Sequence, residues 1–301
     1  MNAIEVKNLR KSYGGTAVIQ GVDLTVKQGE ILGFLGRNGA GKSTFINILT
    51  GIIRPTGGSF SILGCRGLSD QVKKRIGVMP DYSTLYSSMT ALEHLQYFSE
   101  VSGKKKSTNQ CLRVLALVGL EGDARKKAGK FSFGMKKKLG IAAAMIHNPE
   151  LLFLDEPTSG LDAESVLHIQ QLIQDLHKQG KTIFMTSHNL HEVEKLCHRI
   201  AIMKEGRIVK AGTMEQLRAH CRSTITVSLK HLPVPKTQTA MLYDWLEGFG
   251  TEVEAQETST RVTIDAEEKI AQVIRAFNQC KVDILRVEVD EPTLEEIFLE
   301  E

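Results

Sequence analysis

The sequence predicts an α/β fold, an open sheet flanked by helices, followed by a smaller α+β domain. Three observations carry that expectation. Apolar runs of strand length recur at Ile31–Leu35, Leu151–Leu154 and Thr182–Met185, each leading directly into polar residues able to do chemistry. Helix-length patterns alternate with these runs. From Thr224 onward the order changes to strand, helix, two strands, helix, strand.

The first run opens onto Gly36, Arg37, Asn38, Gly39, Ala40, Gly41, Lys42, Ser43 and Thr44, with a helix-like stretch over Thr44–Thr50. A backbone without side chains can curl around a phosphate and aim several N–H groups at it, while the helix behind adds its positive end. Lys42 is placed to reach the β- and γ-phosphates, and Ser43 offers a hydroxyl to the Mg²⁺ that accompanies a nucleoside triphosphate. At ordinary residue usage this spacing arises by accident in about one chain in a hundred of this length. The strand before it and the helix after it reduce that figure further. The core is therefore expected to be a P-loop NTPase.

The second run ends in Asp155 and Glu156. Two carboxylates at the end of a buried strand can divide their work, Asp155 holding Mg²⁺ and Glu156 orienting or deprotonating the attacking water. The bland alternative is that the pair merely opens the turn at Pro157. The third run ends in Thr186, Ser187 and His188, which places a histidine on the edge of the sheet where ligands bind in open α/β folds.

Strand signals at Ile4–Leu9, Ala17–Val26, Glu30–Leu35 and Ser59–Leu63 come first, and a helix-rich block follows at Thr90–Val101, Ser107–Val118 and Ser132–His147. A hairpin turns at Glu205-Gly206, and Met214–His220 closes the first domain. The second domain reads as strand Ile225–Leu229, helix Thr237–Phe249, two short strands around Glu257–Thr260, helix Glu267–Asn278, strand Ile284–Val289 and a final helix Leu294–Leu299. That order suggests a small ferredoxin-like unit. The boundary is expected near Cys221–Ser223, giving domains 1–221 and 222–301, with a helical subdomain at about 82–147.

Six motifs in order complete the pattern: Tyr13, the loop Gly36–Ser43, the Pro80-Asp81 turn, Phe131–Met135, Asp155-Glu156, and Ser159–Asp162 followed by His188. On these the chain, over about Ala3–His220, resembles the nucleotide-binding subunit of an ATP-binding cassette (ABC) transporter, and its appended domain resembles those of bacterial ABC export ATPases. The resemblance implies ATP and Mg²⁺ as ligands. It implies that Tyr13 stacks on adenine, Glu156 is the catalytic carboxylate, His188 contacts the γ-phosphate and Asp162 bridges two subunits. It also implies that Ser132 and Gly134 face the phosphate held by a second ATPase subunit, either a copy of this chain or a homologue. Closure would be passed to separate membrane-spanning permease subunits docking near Asp81–Glu100, from the cytoplasmic face of the membrane, with export as the task. Two positions depart from the family pattern: Asp81 replaces a glutamine, adding charge near Mg²⁺ and Glu156, and Phe133 replaces a glycine. A slow ATPase is the expectation. A non-transport ABC ATPase and an ATP-binding regulatory module without turnover stay open as alternatives.

Composition narrows the rest. The 301 residues suit two domains, and 42% hydrophobic content suffices for a core. No apolar run reaches the length of a membrane span, and Glu5, Lys7 and Arg10 occupy the place of a signal peptide's apolar segment. Five scattered cysteines argue for reduced thiols, and a net charge of +3 is too mild to suggest nucleic acid. His188, His191, Cys197 and His198 lack any zinc spacing. The basic runs Lys104–Lys106, Arg125–Lys127 and Lys136–Lys138 are read as solvated faces.

Overall fold

A computed structural model of the chain describes residues 1–80, 85–221, 225–290 and 293–299. The chain forms two compact units, Met1–Met214 and Glu215–Glu300.

In the first unit, β1 (Asn2–Tyr13) and β2 (Thr16–Lys27) make a hairpin that β4 (Gly57–Ile62) and β5 (Cys65–Arg66) extend into an antiparallel sheet of order β2-β1-β4-β5. One face of this sheet is buried, so inward residues of β2 such as Val22, Leu24 and Val26 alternate with exposed ones. The second sheet joins β3 (Ile31–Gly36), β6 (Ile76–Met79), β7 (Leu151–Asp155), β8 (Thr182–Thr186), β9 (Arg199–Lys204) and β10 (Arg207–Gly212) in the order β10-β9-β3-β8-β7-β6. All its neighbours are parallel except β10 against β9, the hairpin at Glu205-Gly206. Every residue of β3, β7 and β8 is buried, which is why these strands read as unbroken apolar runs.

Phe34 and Phe184 project from this sheet against Phe45 of α1 (Lys42–Leu49), and Phe153 packs on Phe184, with the paired ring centroids 5.0–6.2 Å apart. Burying each ring contributes about 1.5–3 kcal/mol, and each ring pair about 0.5–1.5 kcal/mol beyond that. The aromatic cluster therefore anchors α1, and with it the loop Gly36–Gly41, to the strands that carry the carboxylates. Helix α2 (Asp70–Lys73) precedes β6.

Between the adjacent strands β6 and β7 the chain makes an excursion through α3 (Ala91–Val101), α4 (Thr108–Leu117) and α5 (Phe133–Met145). Capping boxes start the first two, Thr90 with Glu93 and Ser107 with Gln110. The lysine run on α5 corrects the sequence reading: Lys137 is only 2% exposed, because it shares a stripe with buried Ile141 and Ala144. Helices α6 (Ala163–Lys178) and α7 (Leu190–Leu196) follow β7 and β8, and α8 (Met214–Cys221) begins where the two units divide.

The second unit runs β11 (Ile225–His231), α9 (Thr239–Phe249), β12 (Gly250–Ala255), β13 (Ser259–Ile264), α10 (Glu268–Gln279), β14 (Ile284–Asp290) and α11 (Leu294–Leu299). Its antiparallel sheet has the order β12-β13-β11-β14, the split arrangement of a ferredoxin-like βαββαβ unit. The strands expected around Glu257–Thr260 lie further apart, and Glu257 falls in the turn between them. Val227, Leu229, Leu242, Leu246, Val273 and Phe277 form a core separate from that of the first unit.

Candidate nucleotide site

The phosphate loop begins where β3 ends. A Cβ on Gly36 would come 2.5 Å from the Met203 carbonyl of β9, so the close approach of these strands requires glycine there. Gly39 (φ +82°) and Gly41 (φ +109°) are left-handed, a conformation that side chains resist. The helix starts two residues earlier than its sequence suggested. Gly41 is its N-cap, no side chain bonds its first N–H groups, and no acidic residue lies in its first turn, which leaves its positive end suited to an anion. Ser43 and Thr44 stand in that first turn. Arg37, Asn38 and Gly39 are exposed, and Ala40 is buried beneath them.

Lys42 folds back over the loop, its Nζ donating to the carbonyls of Gly36 (2.6 Å) and Arg37 (3.3 Å). Burial pulls its pKa below the ordinary lysine value, and the fields of Glu156 and Asp155 partly offset this. The lysine thus feels both carboxylates, and the loop and the end of β7 are brought to one place.

At that end, Asp155 pairs in register with Thr186 of β8. Thr186 Oγ1 donates to Asp155 Oδ1 (2.5 Å) and accepts the Glu156 N–H (3.0 Å). Glu156 itself has φ +52°, a left-handed backbone that a non-glycine residue holds only when its surroundings fix it. Its Oε2 lies 2.7 Å from His188 Nδ1, with the carboxylate 15% and the imidazole 70% exposed. A half-sheltered carboxylate in contact with an open imidazole can orient a water and accept its proton.

The polar residues around this pair escaped the sequence reading. Thr186 appeared there only as the residue before Ser187 and His188. Glu192 of α7 is buried and accepts from Thr158 Oγ1 (2.7 Å) and Ser187 Oγ (2.9 Å), tying the turn after Glu156 to the turn before His188. Burial pushes its carboxyl pKa up. Lys137 donates to the carbonyl of Glu156 and to Ser159 Oγ.

The remaining expected residues occupy the following positions. Tyr13 ends β1 half-exposed, with the Lys11 ammonium 4.7 Å from its ring centroid. Ser132 N-caps α5, accepting the Met135 N–H, and Gly134 follows in the first turn with Phe133 exposed beside it. Asp162 N-caps α6, its carboxylate accepting from Ser165 N–H and Oγ; these bonds hold its pKa below the usual aspartate value. Asp81 lies outside the described residues. Among the described residues no group of three His, Cys, Asp or Glu side chains is arranged to hold a metal ion.

Residues 19–159 match the family described as ABC transporter, and residues 212–301 match the C-terminal domain of DrrA1-3-like ATP-binding proteins. The chain is 34% identical to the bacitracin transport ATP-binding protein BcrA of Bacillus licheniformis, over 98% of this chain and 96% of that one. It is 31% identical to the linearmycin resistance ATP-binding protein LnrL of Bacillus subtilis, over 98% and 97% of the two chains. It is likewise 31% identical to the daunorubicin/doxorubicin resistance ATP-binding protein DrrA of Streptomyces peucetius, over 99% and 91%. Among solved structures, an ATP-binding subunit of an ABC transporter superposes with a TM-score of 0.67 at 30% identity, covering 72% of this chain and 92% of that one. A dimeric ATP-binding cassette in a post-hydrolysis state with ADP and Pi superposes with a TM-score of 0.66 at 27% identity, covering 70% and 98%. With a left-handed phosphate loop facing two carboxylates, and relatives matched along nearly their whole length, the chain belongs to the ATP-binding proteins of ABC transporters and is an ATPase.

Proposed function

We propose that this chain is the ATP-hydrolysing subunit of an exporter, in which two ATPase subunits close on ATP and pass that closure to separate membrane permease subunits. The observation that carries the chemistry is the Glu156–His188 contact at the sheet edge that also bears Lys42 and Asp155. Lys42 and the N-terminus of α1 bind the β- and γ-phosphates, exchanging the carbonyls that now hold the ammonium for phosphate oxygens. Glu156 orients the attacking water and takes its proton. His188 steadies the carboxylate through Nδ1 and contacts the γ-phosphate. Tyr13 stacks on the base, and Ser132, Gly134 and Asp162 face the second subunit.

Ser43 and Asp155 are hard oxygen donors of the kind Mg²⁺ prefers, and they would hold it beside the phosphates, where the ion neutralises charge during transfer. Asp81 is assigned to the same ion's surroundings on the family pattern alone. Export is supported by the transport and resistance names of BcrA, LnrL and DrrA and by the DrrA-like C-terminal domain. As an ATP-binding protein of an ABC transporter, the chain is assigned to the cytoplasmic face, peripheral to its permease. Among the described residues no helix is long and apolar enough to cross a membrane. The described part of the proposed docking region carries an exposed aromatic pair, Tyr86 and Tyr97, set edge to face at 5.7 Å.

Glu156→Gln tests the chemical assignment. It is expected to keep ATP affinity within about twofold and to lose nearly all turnover, because the carboxylate acts on water and not on the nucleotide. Hydrolysis near the parent rate would remove Glu156 from the catalytic role.

A further inference from the structure

Lys137 stands in a run of three lysines, yet its side chain is buried to 2% exposure. An ammonium leaves water only where acceptors replace its hydration. Lys137 Nζ donates to the carbonyl of Glu156 and, at 3.1 Å, to Ser159 Oγ. A third face is covered by Phe133, one helical turn earlier on α5, whose ring centroid lies 5.5 Å from the same nitrogen. That ring also rests on the turn after Glu156: a Cβ on Gly160 would come 2.6 Å from Phe133 Cε1, and Gly160 has φ +74°. Phe133, which stands where the family pattern has glycine, thus roofs a buried cation.

The cation acts on a residue that needs holding. A non-glycine residue at φ +52° is strained unless its neighbours enforce the conformation. Glu156 is fixed at its N–H by Thr186 and at its carboxylate by His188, both from the sheet edge. Its carbonyl accepts from Lys137, of a different element, and at 3.4 Å from the Ser159 N–H within its own turn. Without the ammonium only that long bond is left, and the peptide after Glu156 can rotate and the carboxylate swing out of line.

We propose that Lys137 is a positioning residue for hydrolysis: its ammonium, shielded from water by Phe133, clamps the Glu156 carbonyl and so keeps the carboxylate aimed. This rests on the reading of Glu156 as the group that acts on water. The Phe133 departure is then a partner to the lysine and not a defect in the loop.

The test uses the full chain in three variants, measuring kcat, KM for ATP, equilibrium ATP affinity and thermal unfolding. Lys137→Met keeps length and burial but donates nothing. It is expected to lower kcat about 10- to 100-fold, the size of a lost hydrogen bond from a charged group, while ATP affinity stays within about twofold. Lys137→Gln retains an N–H donor and is expected to recover part of that loss, whereas a merely structural lysine would change kcat only as far as it changes stability. Parent-rate turnover in Lys137→Met overturns the proposal, as does a loss of affinity equal to the loss of kcat. If Lys137→Met does not fold, Lys137→Gln decides: reduced kcat at unchanged affinity supports the clamp, and parent-rate kcat overturns it. Glu156→Gln separates the two readings. Turnover surviving there sinks the catalytic assignment itself, while its loss alongside a fully active Lys137→Met sinks the clamp alone.

Discussion

Thr186→Val is the sharpest perturbation of the sheet edge. Valine matches threonine in shape, so no cavity opens, and what is removed is one hydroxyl at a fully buried position. That hydroxyl donates to Asp155 and accepts from the Glu156 N–H. Losing a bond to a charged group costs about 1.5–3 kcal/mol, and stranding a buried N–H about 1–3 kcal/mol more. The added methyl returns about 0.8 kcal/mol of apolar burial. A net loss of about 2–5 kcal/mol corresponds to a fall in Tm of about 4–20 °C for a unit of this size, at about 2–4 °C per kcal/mol. Turnover should fall as well, since Asp155 and Glu156 lose their common anchor, while Thr186→Ser, which keeps the hydroxyl, should hold turnover near the parent and lose only the about 0.8 kcal/mol of one buried methyl in stability. Differential scanning calorimetry and steady-state phosphate release read the two effects. A valine variant with unchanged Tm and unchanged kcat would refute the view that Thr186 holds both carboxylate residues.

Two further outcomes follow from buried charges. Lys42 has a pKa lowered by burial, so raising the pH neutralises it before an ordinary lysine; ATP affinity should begin to fall below pH 10.5, and Lys42→Ala should bind about 1.5–3 kcal/mol more weakly without that bend, both read by calorimetry. Glu192 has a pKa raised by burial, so the folded state holds its proton longer than the unfolded chain: its contribution is full below the ordinary carboxylate value of 4.5 and is lost as pH climbs through the raised value. Glu192→Gln, always neutral, should gain in Tm relative to the parent across that window, and parallel Tm curves would show that Glu192 is not held neutral by the fold.

What the sequence disclosed was chemistry written contiguously. Gly36–Ser43 and Asp155-Glu156 carry their meaning in their spacing, and the buried strands announced themselves as apolar runs because both faces are covered. Residues that act through space were hidden. Thr186 reaches Asp155 and Glu156 only because β7 and β8 pair in register, and no local pattern on β8 foretells that pairing. Glu192 looks like any polar residue on a short helix until Thr158 and Ser187 are seen to bond it. Lys137 was misread because a lysine run suggests water, although its phase with Ile141 and Ala144 on α5 pointed inward. In the second unit the turn at Glu257 is polar and short, so strand limits around it were displaced by several residues while the order of elements survived.

The excursion through α3–α5 leaves and rejoins the sheet at a narrow neck. Arg75 grips Glu150 through two bonds of 2.7 Å, His147 Nε2 donates to the Ile76 carbonyl at 2.8 Å, and Ile76 lies opposite Leu151 in the ladder. Because the two ends are held side by side, the entropy of closing this long loop depends only logarithmically on its length. Residues of α3 and α4 can therefore be added, removed or exchanged at little cost to the hydrolytic edge, which draws on this excursion only through α5. The chain is built like a tool with an interchangeable head: the segment proposed to meet a permease can diversify with its partner, while the strands that handle ATP keep their register.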